Sequence, residues 1–100
     1  MTYYRADGIE AHGTEDGGFL LLVTRRGQIF ELPIGPDDFV TQIQASRILR
    51  PTVSRVAVYK WVQAGKLKED IVDGVSMIRV SRLRRFAAKY GYGLAPVSAR

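Results

Sequence analysis

The side chains of this sequence that could carry chemistry are mostly cations. Lysine and arginine number 15 against 10 aspartates and glutamates, whereas cysteine is absent and the single histidine is His12. Zinc sites and thiol chemistry are excluded unless carboxylates alone hold a metal, because their ligands are mainly Cys and His. No Ser-His-Asp set, carboxylate pair or phosphate-binding glycine loop is evident. These observations predict a protein that is not an enzyme, needs no cofactor or metal, and acts by binding.

The cations are concentrated in one part of the chain. Residues 1–40 contain three arginines and seven carboxylates, which gives a net charge of −4. Residues 41–100 contain twelve cations and three carboxylates, which gives +9. A segment this basic favours a polyanion as partner, and phosphate neutralisation would dominate its affinity for nucleic acid. A solvated basic face without a partner is the simpler alternative.

Residues 54–65, SRVAVYKWVQAG, are the stretch best suited to present these cations. A serine opens it as an N-cap would, and a glycine closes it as a left-handed cap residue would. Val58, Trp61 and Val62 recur at i, i+3 and i+4, so they predict one apolar face of a helix. We assign Trp61 to packing, because tryptophan on an apolar stripe is usually a core residue.

The other face of this helix holds the main predicted DNA contacts. A helix in the major groove must expose polar side chains near its N-terminal half, while an apolar face fixes it to the domain. Arg55 is expected to meet a base edge or a phosphate. Lys60 and Tyr59 would meet phosphates, and Gln63 would make a weaker contact. Ordinary solvent exposure is the alternative for each of the four.

Six further residues complete the predicted site. Ser54 and Thr41 could donate to phosphates, although capping a helix is the commoner role of such residues. Flanking phosphates are expected to meet Arg47, Lys66, Lys68 and Arg79. The cations at positions 82, 84, 85 and 89 are as well explained by a solvated face, or by contact with the acidic part of a neighbouring copy.

Three elements surround the central helix and position it. Thr41 caps a short helix that runs to about Leu49, and a turn at residues 50–53 follows it. Asp73-Gly74 lies between β-favouring pairs, which predicts a hairpin. A last helix is predicted with Ser81 as its N-cap and a glycine at its end.

The acidic N-terminal part, residues 1–36, has the pattern of β-structure and a linker. Residues 19–24 and 28–32 predict a hairpin, with a third strand from residues 2–6 or 9–12. Because residues 19–23 are apolar on both faces, we expect a second copy of the chain to cover one face, although burial within the monomer is the alternative. Residues 33–38 contain two prolines and a glycine and are expected to form the linker. Residues 93–100 are expected to be a flexible tail.

The order helix, turn, helix, hairpin, helix resembles the excisionase and MerR-like winged-helix family of DNA-binding domains. The residues that carry this resemblance are TQIQASRIL at 41–49, VYKWV at 58–62, GKL at 65–67, and Ile78 with Leu83 and Phe86. They lie within residues 39–90, and the match covers about half of the chain. The resemblance implies an α+β fold, with a winged helix-turn-helix domain of three helices and a β-hairpin wing over residues 37–92. A small N-terminal sheet would precede this domain.

The resemblance implies a sequence-specific double-stranded DNA-binding protein, whose second helix (54–64) lies in the major groove. It would act as an excisionase-like factor or a small transcriptional regulator of a phage or mobile element. Adjacent copies would bind side by side, and an integrase or RNA polymerase is an implied partner. The alternative is a protein-interaction module for an integrase, a packaging subunit or RNA polymerase, with incidental DNA contact.

Two departures from the family pattern bear on the DNA contact. The turn at residues 50–53 is about two residues longer than the family's usual turn. The predicted wing has Asp73-Gly74 at its tip and Glu69 and Asp70 at its base, where a wing that touches DNA would be expected to carry arginine or lysine.

The sequence has no apolar run of about 18 residues and no signal-peptide layout. We therefore expect a cytoplasmic, nucleoid-associated protein of a bacterial or phage-infected cell.

Overall fold

A computed structural model describes residues 8–97, which form three helices and three antiparallel sheets in an α+β arrangement. The elements in chain order are β1 (Gly8–Gly13), β2 (Phe19–Arg25), β3 (Gln28–Ile34), β4 (Phe39–Thr41), α1 (Gln42–Ile48), β5 (Leu49–Arg50), α2 (Arg55–Gln63), β6 (Asp70–Val72), β7 (Val75–Arg79), α3 (Val80–Tyr90) and β8 (Gly93–Leu94). Hydrogen bonds order the strands as β1-β2-β3, β4-β7-β6 and β5-β8. The α+β class expected from the sequence is confirmed.

The N-terminal sheet is a three-stranded meander. Arg25 pairs with Gln28, so Arg26 and Gly27 form a two-residue turn in which φ is +50° and +75°. Positive φ at both central residues is typical of the type I′ turn that suits a β-hairpin. The hairpin predicted from the sequence is confirmed, and β1 supplies the third strand from the 9–12 segment. The other proposed segment, residues 2–6, lies outside the described residues.

Strand β2 faces the core on one side only. Phe19 and Leu21 are buried and lie in the same core cluster as Ala11. Leu20 and Leu22 alternate with them and are half-buried on the opposite face. The described residues therefore leave the second apolar face of this strand incompletely covered.

The predicted linker at residues 33–38 is too long, because its first two residues belong to strand β3. Strand β3 continues to Ile34, which is buried and packs in the core. Pro33 lies within β3 opposite Leu20, and it is tolerated because β3 is an edge strand that needs no N–H donor on its outer side. Only residues 35–38 form the connection, where the amide of Gly35 donates to Asp38 Oδ2 at 2.6 Å.

The hydrophobic core is continuous across the expected domain boundary. One cluster of buried side chains joins the N-terminal sheet to the helices; it includes Phe19, Leu21, Val40, Ile48 and Leu83. In addition, the Arg50 guanidinium donates to the carbonyl of Ala11 at 3.1 Å. The acidic sheet and the basic helices are thus packed as one body.

Helix α1 begins with a reciprocal cap. Thr41 Oγ1 accepts from the amide of Gln44 at 3.3 Å, while Gln44 Oε1 accepts from the amide of Thr41 at 2.9 Å. This capping box satisfies two backbone donors that a helix start leaves free. The predicted cap is confirmed, and the helix ends at Ile48, close to the expected Leu49.

Hairpin β6–β7 turns at Asp73 and Gly74, where φ is +52° and +78°, as the Asp-Gly pair predicts. Strand β7 also pairs with β4, so the hairpin is joined to the segment that leads into α1.

The start of α3 differs from the sequence expectation. The helix begins at Val80 with Arg79 in the N-cap position and no side-chain cap, so Ser81 lies inside the first turn. The amide of Val80 donates instead to the carbonyl of Asp38 at 2.9 Å. The predicted end is confirmed, because Gly91 adopts φ +81°.

Residues 93–97 also differ from the expected flexible tail. Gly93–Leu94 forms strand β8 against β5. Ala95 is buried, and its amide donates to the carbonyl of Ile48 at 2.7 Å. Residues 98–100 lie outside the described part of the chain.

Among residues 8–97, no helix combines the length and apolar character that crossing a bilayer requires. Within the same residues, His, Asp and Glu side chains do not gather in a group of three that could hold a metal ion.

Candidate nucleic-acid interface

Helix α2 presents an exposed face that contains no carboxylate. This face is formed by Arg55, Val56, Tyr59, Lys60 and Gln63, all of which are exposed. Their spacing places them along one side of the helix. The four contacts predicted on this helix therefore lie together on its surface, and we call this surface the α2 face.

The opposite side of α2 is fixed to the core. Val58 is fully buried, and Trp61 packs against Phe86 and Tyr92 with ring centroids 4.7 and 5.4 Å apart. Aromatic pairs of this kind contribute about 0.5 to 1.5 kcal/mol each beyond the burial of their area. The assignment of Trp61 to packing is confirmed, and the cluster holds the orientation of the α2 face relative to α3.

Val56 is a member of the α2 face to which the sequence pattern gave no role. Its side chain is 56% exposed, between the two cations of the helix. An exposed valine on a polar helix face is the kind of side chain that can contact a thymine methyl group in the major groove. The signal was present in the periodicity, which separates Val56 from the buried Val58.

The two predicted hydroxyl contacts act as helix caps. Ser54 Oγ accepts from the amide of Ala57 at 3.1 Å. At the start of α1, Thr41 Oγ1 accepts from the amide of Gln44 in the same way. Each oxygen keeps its own proton, so each hydroxyl can still donate to a phosphate. Both hydroxyls therefore remain compatible with DNA contact, but the contact that the structure shows for each is a helix cap.

The turn before α2 is held by two guanidinium groups. Arg47 Nη1 donates to the carbonyl of Val53 at 3.2 Å. Arg50 Nη1 donates to the carbonyls of Arg47 and Leu49 at 2.6 and 3.0 Å. Arg47 was predicted to contact a phosphate, but at least one of its N–H donors forms a hydrogen bond within the turn. Arg50 was not among the predicted site residues, although an arginine inside a long turn can donate to backbone carbonyls.

The remaining predicted contacts lie at two other places. Lys66 and Lys68 are exposed in the segment after α2 and lie close to α3. Arg79 is exposed at the end of β7, where its guanidinium lies 4.6 Å from the centre of the Phe39 ring. The structure thus places Lys66 and Lys68 after the end of α2 and Arg79 on the β4–β7 sheet, so the predicted cations do not form one continuous cluster.

Hairpin β6–β7 offers apolar and acidic surface. Gln42 Nε2 donates to Ser76 Oγ at 2.9 Å, and Ser76 Oγ donates to Glu69 Oε1. Ile71 is 64% exposed near the tip, and Val75, which pairs with Val72 on the other face of the hairpin, is also exposed. Because the strands and tip carry no cation before Arg79, the hairpin is poorly suited to contact phosphates.

Arg84 is one of the α3 cations with a defined structural contact. Its Nη2 donates to the carbonyl of Gly17 at 2.6 Å, and its guanidinium lies 6.0 Å from the centre of the Phe19 ring. This contact ties α3 to the loop between β1 and β2.

Comparison with protein-family models finds no family that matches the chain, and neither a curated protein nor a solved structure matches it. The resemblance to excisionase and MerR-like domains therefore rests on the residues quoted for it.

Proposed function

We propose that this protein binds double-stranded DNA in a sequence-specific manner by placing α2 in the major groove. The observation that carries the proposal is the α2 face, where two cations, a tyrosine and a glutamine are exposed on a helix without carboxylates. Its buried side and the Trp61 cluster hold that face rigidly. The resemblance adds the expectation of an excisionase-like factor or small transcriptional regulator of a phage or mobile element.

The dimensions of α2 suit this mode of binding. An α-helix with its side chains is about 10 to 12 Å in diameter, and the major groove is about 12 Å wide. Arg55 at the N-terminal end would donate to a base edge, where arginine can bind guanine with two hydrogen bonds. Lys60 and Tyr59 would contact phosphates that flank the groove. The protein's task is docking, and no covalent step is involved.

The hairpin has a different role in this proposal from the wing that the resemblance implies. The order β4, α1, α2, β6, β7, α3 agrees with a winged helix-turn-helix domain, and we propose that arrangement for residues 37–92. The acidic residues of the hairpin would be repelled by phosphates. We therefore infer that α2 carries more of the recognition than the hairpin does.

We also propose that two copies associate through β3. This strand is an edge of its sheet in the described structure, and its Ile29 and Phe30 are 67% and 50% exposed. An edge strand with exposed apolar side chains is a template for pairing with another strand. Antiparallel pairing of residues 28–32 with the same residues of the copy, which leaves Pro33 outside the paired segment, would partly cover Ile29 and Phe30 and would give the assembly two α2 faces.

Fluorescence anisotropy with a duplex selected from genomic fragments tests the DNA proposal. We expect Arg55→Ala and Lys60→Ala each to weaken binding by about 1 to 3 kcal/mol, and affinity to fall steeply with salt. Arg25→Ala, in the N-terminal hairpin, removes the same charge and should leave binding nearly unchanged. Binding that is insensitive to salt and to both α2 variants would refute the proposal.

The second candidate function is a protein-interaction module, and the exposed apolar hairpin favours it. Ile71 on one face of the hairpin and Val75 on the other expose apolar surface next to Asp70 and Asp73, which suits a partner with basic and apolar groups. A purified integrase or RNA polymerase would be the ligand in a binding assay. Loss of that association in Ile71→Ser, combined with only sequence-independent DNA binding by the full chain, would favour this function over the first.

A further inference from the structure

A concave basic groove lies between α3 and the segment that follows α2. It encloses a volume of about 190 Å³, and we call it the basic groove. Leu67 and Phe86 form its apolar floor. Five cations line it: Lys66, Lys68, Arg82, Arg85 and Lys89.

The fold brings these cations together from two elements. On α3, positions 82, 85 and 89 are spaced i, i+3 and i+7, so they share one side of the helix. On the other wall, Leu67 is 2% exposed and is anchored by its amide, which donates to the carbonyl of Trp61 at 3.3 Å. Because Leu67 points into the core, Lys66 and Lys68 on either side of it are directed outward.

No carboxylate lines the basic groove, and no described residue forms an ion pair or side-chain hydrogen bond with any of the five cations. Lys89 lies 5.5 Å from the centre of the Tyr90 ring, which is its one described side-chain contact. Like charges confined around one hollow repel each other, and an anion in the hollow would relieve that repulsion. A basic face that contacts only solvent would not require five cations to lie around one hollow.

Arg82 gives a more specific indication. Its Nε is buried and has no hydrogen-bond partner among the described residues. A buried N–H without an acceptor is unfavourable, and a phosphate oxygen is a strong acceptor for guanidinium donors. Asp70 also has a buried carboxylate oxygen without a partner, but it does not line the basic groove and makes no ion pair with Arg82.

We propose that the basic groove is a phosphate-binding site and that it takes a backbone phosphate of the duplex whose major groove α2 enters. The source of the phosphate rests on the proposed function, whereas the chemistry of the site does not. Lys66 follows Gln63 by three residues, which places one wall of the basic groove at the C-terminal end of the α2 face. The α3 wall packs against Trp61 on the buried side of α2. A protein that inserts a helix into the major groove also contacts the phosphates that border that groove. A phosphate contact at the end of α2 would therefore help to fix the position of the protein along the duplex.

Neutralising single cations tests the site in DNA binding. Arg85→Gln and Lys89→Gln should each reduce the salt slope of log K by about one. At 0.15 M salt this corresponds to about a fivefold loss of affinity per contact, equal for specific and random duplexes. Arg84→Gln is the matched control, because it removes the same charge from the neighbouring position of α3 but its side chain contacts Gly17 rather than the groove. Thermal melts of all three variants establish that they are folded.

Inorganic phosphate tests the chemistry without DNA. At constant ionic strength, replacing chloride by phosphate should shift the Nε–H resonance of Arg82 in the wild-type chain, and Arg85→Gln should reduce that shift. A phosphate response together with unchanged DNA binding in the groove variants would retain the site and overturn DNA as its source. A phosphate response in a chain that fails to bind DNA would refute the proposed function, and with it DNA as the source of the phosphate, but would retain the phosphate-binding site. No phosphate response and no change in the salt slope would overturn this inference even if the α2 variants lose DNA binding.

Discussion

Arg47 and Arg55 lie on either side of one turn and carry the same charge, yet their alanine variants should behave differently. Arg55 is exposed at the start of α2 and forms no side-chain hydrogen bond with a described residue. Arg47 is half-buried on α1, and its Nη1 donates to the carbonyl of Val53 at 3.2 Å. Because each substitution removes one positive charge, the pair separates the effect of position from the effect of charge.

The expected magnitudes follow from these contacts. A hydrogen bond from a charged donor contributes about 1.5 to 3 kcal/mol, and partial exposure of Arg47 reduces this, so Arg47→Ala should lower the free energy of unfolding by about 1 kcal/mol. For a chain of this length, that lowers the Tm by about 4 to 8 °C. Arg55→Ala should change stability by less than about 0.5 kcal/mol, as surface substitutions do, while it weakens DNA binding.

Urea unfolding followed by circular dichroism measures the first quantity, and anisotropy on the selected duplex measures the second. Arg47→Lys is an informative control, because lysine keeps the charge but lacks the planar donor group; it should destabilise the protein nearly as much as alanine. Wild-type stability in Arg47→Ala would contradict the role of its hydrogen bond. A loss of more than about 1 kcal/mol of stability in Arg55→Ala would contradict the exposed position of Arg55.

Two further predictions concern the N-terminal sheet. The pKa of Asp16 is lowered, first by the hydroxyl of Thr14 and then by the amide of Gly18, which donates at 2.9 Å. Its contribution to stability should be present above the unfolded pKa of about 3.9 and be lost as the pH falls through the lower folded pKa. In Thr14→Val the Asp16 carboxyl should titrate at higher pH by NMR; an unchanged titration would contradict the assignment. If β3 pairs with its copy, Ile29→Lys should halve the mass measured by light scattering, whereas Gln28→Lys at the turn should not; a monomeric wild type at high concentration would refute the pairing.

Features determined by neighbouring residues were predictable from the sequence. The two hairpin turns at residues 26–27 and 73–74 need positive φ at consecutive positions; Gly27, Asp73 and Gly74 indicate it directly, whereas Arg26 does not. The caps at Thr41 and Ser54 are also local, because each hydroxyl binds an amide three residues ahead. The exposed side of α2 followed from helical periodicity alone.

Features that depend on distant contacts were missed. Ser81 has the residue type of an N-cap, but pairing of β7 with β4 brings Val80 to the carbonyl of Asp38 and sets an earlier start for α3. Residues 93–97 have no periodic pattern, yet Ala95 is ordered by Ile48, which lies on another element. Ile34 joins β3 because the partner strand β2 extends its ladder past Pro33.

The same distinction applies to the candidate site. Composition and periodicity predicted the α2 face, including its cations. They did not reveal that Arg47 donates within the turn, because that contact depends on how the chain bends after α1. Spacing on α3 groups positions 82, 85 and 89, but only the tertiary fold brings Lys66 and Lys68 opposite them.

The continuous core has a consequence for how this protein unfolds. Because Ala11 and Phe19 are buried with residues of α1 and α3, opening the N-terminal sheet exposes apolar surface on the helices as well. The two halves should therefore form one cooperative unit, whose amide protons exchange with the solvent at a similar free energy of opening. Deleting the acidic half would remove part of the support of α2 together with its negative charge. Electrostatic roles of that half are better tested by substitutions on its surface, such as Glu31→Gln, than by truncation.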